Sequence, residues 1–283
     1  MNVLCVLFVV CTQVELAEGF LLLDFLNNFL RQFLGKGSEV GQCDGCFCIP
    51  DSGVSCPVDM KPDVDAALVP VFQSFLWDNP YSLDCDPYAG GDCDTTPPLV
   101  EGGACVVNFE DEETDACASS YTVQTFEGTL ETAIAENLYV THAGPCGACS
   151  SLQDLAVYIE TGPNLRELAT SCGFQSRLSR SLGVSCFQGL GFTEGCATVW
   201  FYNARETADS CLFQCLLFAL FGRSPNGAAP LCELVPCIQC DEENAGPLFQ
   251  IFAGRTRRNS GLLSNIVRSC SELAGVTQQN PCS

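Results

Sequence analysis

Basic side chains and histidine are scarce in this sequence, and each shortage argues against a class of function. The 283 residues include 12 Lys and Arg against 34 Asp and Glu, with one His, which gives a formal net charge of −22. We expect no nucleic-acid binding, because phosphate backbones are bound by clustered Lys and Arg. The sequence also has no Asn-x-Ser/Thr triplet, so we expect no N-linked glycan.

Long apolar runs are missing as well, and we therefore expect no transmembrane span. The most apolar internal stretch, 210–222, has only 13 uncharged residues, whereas a spanning helix needs about 20. That stretch predicts a buried helix. The apolar start of the chain, followed by Ala17 and Gly19 as small residues at the −3 and −1 positions, predicts a signal peptide over 1–19.

Cysteine, in contrast, is abundant. The chain has 22, a content that argues against an ordinary cytosolic enzyme and favours a disulfide framework in a secreted or luminal protein. Loss of 1–19 removes Cys5 and Cys11, and the even number that remains is compatible with full pairing. Spacing alone leaves the connectivity open.

Charge divides the chain into two parts. Residues 1–165 contain 25 acidic and 3 basic side chains, whereas 166–283 contain 9 of each. The acidic part predicts a cationic or basic partner, with a solubilising acidic face as the alternative. After the signal peptide we distinguish an amphipathic helix over 20–37, an acidic cystine-rich region over 38–118 and a mainly helical, disulfide-braced domain over 119–283.

The amphipathic helix has a continuous apolar face over 20–34. Leu and Phe recur at helical spacing, the opposite face is polar, and Arg31 and Lys36 are the only basic residues of the helix. Helices that lie on membranes usually have a face rich in Lys and Arg. We therefore favour packing on the protein's own core or self-association, with contact to a membrane surface as the alternative.

The remaining patterns predict a disulfide-rich α+β fold with a helix-dominated C-terminal domain and a few short strands. β-Branched and aromatic residues predict a strand pair at Ala104–Phe109 and Tyr121–Phe126 and another strand at 137–141. A capping box at 150–153 predicts a helix start. The stretch 197–202 predicts a strand, followed by a helix that ends at Phe221.

The only histidine lies in the densest group of chemically capable residues. The stretch HAGPCGACSSLQD, from His142 to Asp154, follows a predicted strand and precedes a helix N-terminus. One hypothesis makes His142 the general base for a nucleophile, which is Ser150, Ser151 or Cys146, with Asp154 or another carboxylate orienting the ring. The alternative is a structural histidine. The catalytic candidates are His142, Cys146, Cys149, Ser150 and Asp154.

A second hypothesis for the same stretch is redox chemistry. Cys146-x-x-Cys149 precedes a helix N-terminus, which lowers a thiol pKa. The order strand, Cys-x-x-Cys, helix is that of thioredoxin-like proteins. Because cysteine is so abundant in this chain, structural disulfides are the alternative that we favour.

Metal binding is a third possibility. Two acidic triplets, Asp84-Cys85-Asp86 and Asp92-Cys93-Asp94, would converge if their cysteines were paired, and Ca²⁺ takes such oxygen ligands. A plain acidic turn is the alternative. The zinc-like spacings at 43–48 and 237–240 favour cystines in an oxidising compartment. We expect no other cofactor. The Ca²⁺ candidates are Asp84, Asp86, Asp92 and Asp94.

The most aromatic segment is a candidate binding surface. Trp200, Tyr202 and Asn203 offer aromatic faces and an amide to a sugar or another small molecule. Packing in the core is the alternative use of these residues. No phosphate-binding Gly-rich loop or dinucleotide fingerprint is present.

Two stretches resemble uncharacterised secreted cysteine-rich proteins of diatoms and related algae. They are HAGPCGACSSLQDLAVYI, which starts at His142, and GFTEGCATVWFYNARETADSCLFQC, which ends at Cys215. The resemblance implies an association with algal secondary metabolism of the domoic acid type, without defining a reaction. The leading hypothesis is a secreted, disulfide-stabilised protein of unknown activity. The alternatives are an enzyme with a pocket around His142 and a Ca²⁺-dependent binding or matrix protein.

Overall fold

The structure is a computed structural model that describes most of the chain beyond residue 65. The predicted signal peptide over 1–19 and amphipathic helix over 20–37 lie outside the described residues, as does Asp92. The residues described are 66–75, 79–90, 93–96, 99–109, 120–221, 225, 233–262, 264, 266 and 272–281.

Five strands and nine helices are found in this part of the chain. The strands are β1 (Ser82–Leu83), β2 (Thr95–Thr96), β3 (Ala104–Phe109), β4 (Tyr121–Phe126) and β5 (Tyr139–Ala143). The helices are α1 (Leu68–Ser74), α2 (Leu130–Ala135), α3 (Leu152–Thr161), α4 (Leu165–Ser176), α5 (Arg180–Gly189), α6 (Glu194–Ser210), α7 (Leu212–Phe221), α8 (Pro236–Asn244) and α9 (Gly246–Ala253). The predicted α+β class with predominant helices is confirmed.

The central sheet has three antiparallel strands in the order β4-β3-β5. The predicted pair β3 and β4 is confirmed with its bounds. Successive side chains of a strand point to opposite faces, and β3 is buried on both. Cys105 and Val107 face the larger core, while Ala104 and Val106 join a smaller core with α2. The sheet is therefore covered on both sides, as its run of apolar residues requires.

Strand β5 begins two residues later than predicted, and its pairing is irregular. Asn137 has φ 57°, a left-handed conformation that interrupts an extended strand and that Asn tolerates better than most residues. Further along, Cys105 pairs with His142 but Val106 pairs with Val140, so Thr141 is an extra residue in β5. This bulge directs Thr141 away from the regular ladder.

The predicted strand at 197–202 is wrong, because these residues belong to the 17-residue helix α6. Their β-branched and aromatic side chains suggested a strand, yet the stretch from Gly195 to Asn203 is buried throughout except at Trp200, as in a helix that is packed on all sides. Tertiary packing outweighs local propensity here. Gly195 permits the close approach of the helix start to β1, since a Cβ there would lie 2.3 Å from the Tyr81 carbonyl oxygen.

Six disulfides are present among the residues that the structure describes, which confirms the disulfide-rich character. Two of them connect α6 and α7 with α8, so Cys237 and Cys240 are in cystines. The pairs are Cys85–Cys93, Cys105–Cys146, Cys149–Cys196, Cys172–Cys186, Cys211–Cys240 and Cys215–Cys237. Such a framework is compatible with a secreted or luminal protein. No helix in the described ranges has both the length and the apolar character that a membrane crossing needs.

Candidate functional site

Of the three candidate nucleophiles, Ser150 is the one that is hydrogen-bonded to His142. The His142 Nε2 atom lies 2.7 Å from the Ser150 Oγ, and Nδ1 lies 2.9 Å from the Ala143 carbonyl oxygen. Because a carbonyl oxygen only accepts, Nδ1 carries the proton and Nε2 accepts from the Ser150 hydroxyl. This is the tautomer that a general base for serine requires.

The surroundings of this pair are nevertheless those of a packed interior. Both side chains are 0% exposed, and Ser150 Oγ also accepts from the Gly147 N–H at 2.8 Å. Burial, together with the charge of Arg255, lowers the pKa of His142 to about 3. His142 is therefore neutral at ordinary pH, and a substrate reaches Ser150 only if the surrounding structure opens.

Asp154 does not orient the histidine ring, contrary to the sequence-based hypothesis. Its carboxylate accepts from Ser151 Oγ at 2.6 Å and from Thr193 N and Oγ1 at 2.8 and 2.9 Å. Ser151 caps α3 and Thr193 precedes α6, so Asp154 ties two helix N-termini together. Burial raises the pKa of Asp154 to about 6, against the lowering effect of these hydrogen bonds.

The predicted capping box is therefore shifted by one residue. Ser151, and not Ser150, is the N-cap of α3, and its hydroxyl accepts from the Asp154 N–H at 2.8 Å. Ser150 is already engaged by His142 and Gly147, which leaves the next serine to cap the helix. Ser151 is thus a structural residue and not a nucleophile.

Cys146 and Cys149 are not paired with each other, so the redox hypothesis is corrected. Cys146 is bonded to Cys105 of β3, and Cys149 is bonded to Cys196 of α6. All four sulfur-bearing side chains are 0% exposed. The two cystines fasten the loop before α3 to the sheet on one side and to α6 on the other.

The residue that sequence reasoning missed in this region is Arg255, which is 0% exposed. Its guanidinium donates to the carbonyl oxygens of Thr141, Cys149 and Ser150 at 2.8–3.1 Å. It also donates to Ser260 Oγ at 3.2 Å and to the Thr141 hydroxyl. Burial lowers the pKa of Arg255 to about 10. No sequence pattern distinguishes Arg255 from Arg257 and Arg258, which follow it.

The acidic triplets are joined by the disulfide on which the Ca²⁺ hypothesis depended, but the carboxylate of Asp86 is already engaged by the protein. Cys85 and Cys93 form a disulfide. Asp86 accepts from the Tyr88 N–H at 3.0 Å and lies 3.8 Å from Arg205. Within the described part of the chain, no group of three or more His, Cys, Asp or Glu is arranged to hold a metal ion.

A cavity of ≈ 600 Å³ lies among α4, α6, α7, α8, α9 and the end of α3. We call it the helical cavity. Two of the three candidate binding residues, Trp200 and Asn203, line it, whereas Tyr202 does not. On a helix, positions 200 and 203 share a face, while Tyr202 packs on Phe201 with ring centroids 4.9 Å apart. Apolar lining residues include Leu165, Ala169, Leu216, Phe218, Ile238 and Phe249.

Trp200 is the centre of an aromatic cluster in the cavity wall. Its ring centroid lies 4.6 Å from that of Phe249 and 5.8 Å from that of Phe187, with which it stacks. Phe192 and Tyr158 complete the cluster at 6.0 and 6.3 Å. Four aromatic rings surround the indole and hold it in place, so it presents a rigid apolar face.

Three residues of the wall carry polar atoms without a partner. Tyr158 Oη, Arg166 Nη1 and Trp200 Nε1 are shielded from solvent, and none has a hydrogen-bond partner within the described ranges. Burial raises the pKa of the Tyr158 hydroxyl against a smaller lowering effect of Trp200, but no hydrogen bond of good distance and angle joins the hydroxyl to the indole N–H. A buried polar atom without a partner costs about 1–3 kcal/mol. All three residues line the helical cavity.

Tyr158 and Arg166 were not singled out by the sequence. Tyr158 falls on the buried face of the helix predicted from Leu152 onward, and it is 1% exposed. The available sequence signal was that a tyrosine, which has a polar hydroxyl, lies on the apolar face of this helix. Arg166 gave none, because its role depends on Phe218 of α7, whose ring centroid lies 4.9 Å from the guanidinium carbon.

Comparison with known proteins gives a match to one family model and no activity. The model of a family of unknown function (DUF8771) matches residues 180–276, about a third of the chain. That range contains α5 to α9, and with them Trp200 and Asn203, but not Tyr158 or Arg166. Comparisons with curated proteins and with solved structures give no match.

Proposed function

We propose that this protein is a secreted or luminal, disulfide-stabilised binding protein that takes a small, mostly apolar molecule into the helical cavity. The observation that carries the proposal is the coincidence of an apolar cavity with three buried polar atoms that lack partners in its wall. Small-molecule sites combine a largely apolar lining with a few polar groups in this way.

The dimensions and the rigidity of the cavity support a small ligand. Its volume of ≈ 600 Å³ falls within the range of about 300–1,000 Å³ that is typical of such sites. The cystines Cys211–Cys240 and Cys215–Cys237 fasten α7 and α8, which form one wall. A preformed wall lowers the ordering cost of binding.

Secretion and a pathway role belong to the same proposal. The disulfides and the predicted signal peptide support an oxidising compartment. The resemblance to secreted algal proteins supports an association with secondary metabolism of the domoic acid type. Binding of a small metabolite is a role that fits both.

Titration with Nile red, a neutral apolar dye, tests binding. Wild-type protein is expected to bind the dye saturably at one site, because the cavity is apolar. Ala169→Trp places an indole in the cavity and is expected to weaken binding at least tenfold. Tyr202→Phe, an aromatic change on α6 outside the cavity, is the matched control and leaves binding unchanged. Absence of saturable binding, or unaltered binding by Ala169→Trp, contradicts the proposal.

The hydrogen bond between His142 and Ser150 favours a second candidate, a serine hydrolase. A fluorophosphonate that modifies activated serines separates the two functions. Because Ser150 is 0% exposed, the binding proposal predicts no labelling. Labelling of the native protein that Ser150→Ala abolishes is the result that favours the hydrolase.

A further inference from the structure

We propose that the molecule taken by the helical cavity is an apolar acid whose carboxylate is bound by Arg166, with Trp200 and Tyr158 as neutral donors. This inference rests on the proposed function, since it assigns the chemical class of the ligand in the same cavity. It starts from the types of the three polar atoms without partners. A guanidinium and an indole N–H only donate, and a tyrosine hydroxyl is able to donate.

Arg166 is distinguished from the other arginines of the wall by its partners. Arg177 lies 3.5 Å from Asp209, and Arg258 lies 2.8 Å from Glu272. The Arg257 guanidinium donates to the Tyr158 carbonyl oxygen. Arg166 forms no ion pair within 4 Å among the residues that the structure describes, and the charge of its exposed neighbour Glu167 only partly offsets the lowering of the Arg166 pKa by burial. It is partly buried over Phe218, where an anion is the partner that it lacks.

The arrangement of the wall also limits the position of the acid group. Two of the acidic side chains of the wall are already engaged, since Asp241 accepts from the Thr207 hydroxyl and Glu242 lies 3.7 Å from Arg258. The three donors come from α3, α4 and α6. Because Trp200 contributes both an N–H and an aromatic face, the apolar body of the ligand extends from the carboxylate along Trp200 and Phe249.

The three atoms are shielded from solvent in the structure, so a ligand reaches them by a local movement of side chains. Arg166 is the residue suited to this movement, because its side chain is long and rests on a ring without an ion pair. Turning its guanidinium from Phe218 to a carboxylate exchanges a cation–π contact for a charge-assisted hydrogen bond, which is stronger.

Decanoic acid, decanol and decylamine test the inference, because they share a chain and differ in the head group. Each is titrated against the protein with bound Nile red at pH 7.5, where the acid is ionised. We expect decanoic acid to displace the dye at a concentration at least tenfold lower than decanol or decylamine. Equal potency of acid and alcohol, or a preference for the amine, overturns the inference but leaves the proposed function standing. Failure of Nile red to bind overturns both.

Variants of Arg166 test the assignment of the residue. Arg166→Gln is expected to remove the preference for the acid while decanol binds as before, and Arg166→Lys is expected to retain part of it. Arg180→Gln, which replaces an exposed arginine outside the helical cavity, is the matched control. Tyr158→Phe removes one donor and is expected to reduce the preference without abolishing it. Full preference in Arg166→Gln, with the fold intact by circular dichroism, overturns the assignment.

Discussion

At the scale of single residues, buried polar side chains hold the loop before α3 in place. Arg255 donates hydrogen bonds to carbonyl oxygens of β5 and of this loop. The acceptor in β5 is Thr141, the extra residue of the bulge. His142 fixes Ser150, and Asp154 joins the starts of α3 and α6. Satisfied networks of this kind specify one arrangement of a core. The sole histidine is therefore an element of the architecture.

The histidine makes the stability depend on pH in a predictable direction. The pKa of His142 is about 3 in the folded protein against 6.5 for an ordinary histidine, so the unfolded chain binds the proton first as the pH falls. Wild-type protein is expected to lose stability between pH 6.5 and 3 relative to His142→Gln, with a slope of about one proton. Urea unfolding of both proteins at several pH values measures the difference.

Asp154 changes the stability with pH in the opposite direction, but its effect is the same in wild type and in His142→Gln and cancels when the two are compared. Burial raises its pKa to about 6, so its contribution is present at low pH and is lost as the pH rises toward 6. Both proteins retain Asp154.

Parallel curves of unfolding free energy against pH for wild type and His142→Gln would contradict the buried, neutral histidine.

At the scale of elements, the sequence predicted the strands whose structure their own residues favour. The strands β3 and β4 were predicted with their bounds, because their β-branched and aromatic residues favour strands, and because most of β3 is buried. The strand predicted at 197–202 is helical, since this part of α6 is buried on nearly all sides between α4, α5 and α9. Asn137 displaced the start of β5. Such differences arise from contacts distant in sequence, which propensities do not contain.

The close contact between the loop before α3 and the end of α9 gives a prediction for a glycine. The N–H groups of Ala148 and Cys149 donate to the last carbonyls of α9. A Cβ at Gly147 would lie 2.7 Å from the Gly254 N and the Phe252 O. Gly147→Ala is therefore expected to lower the free energy of unfolding by about 1–3 kcal/mol.

A second glycine provides the control for this measurement. A Cβ at Gly189, the last residue of α5, would meet nothing within 4 Å. Gly189→Ala is expected to be neutral or to stabilise by up to about 1 kcal/mol. Urea denaturation of the two variants compares them, and equal effects would argue against the backbone contact at Gly147.

At the scale of the whole molecule, cysteine content predicted a disulfide framework but not its connectivity. The spacing of Cys146 and Cys149 suggested a pair, whereas the fold brings each of them to a partner more than 40 residues away. The helical cavity escaped prediction for the same reason, because six helices contribute to it. Trp200 and Asn203 were found from local composition, while Arg166 required the tertiary structure.

Mapping of the disulfides checks this framework. Peptic digestion of unreduced protein followed by mass spectrometry is expected to give cross-linked peptides for Cys105–Cys146 and Cys149–Cys196. A peptide with Cys146 bonded to Cys149 would restore the redox hypothesis. Free thiols at these positions in native protein would count against the secreted, disulfide-stabilised character.

The most direct test of the central claim is the NMR signal of the Trp200 indole N–H. The chain has two tryptophans, so Trp200→Phe assigns the signal in a ¹⁵N-labelled sample. The account predicts that decanoic acid shifts this signal saturably, at a concentration that matches displacement of Nile red. An indole signal that stays in place while the ligand is present in excess, in protein with a folded spectrum, would contradict binding in the helical cavity.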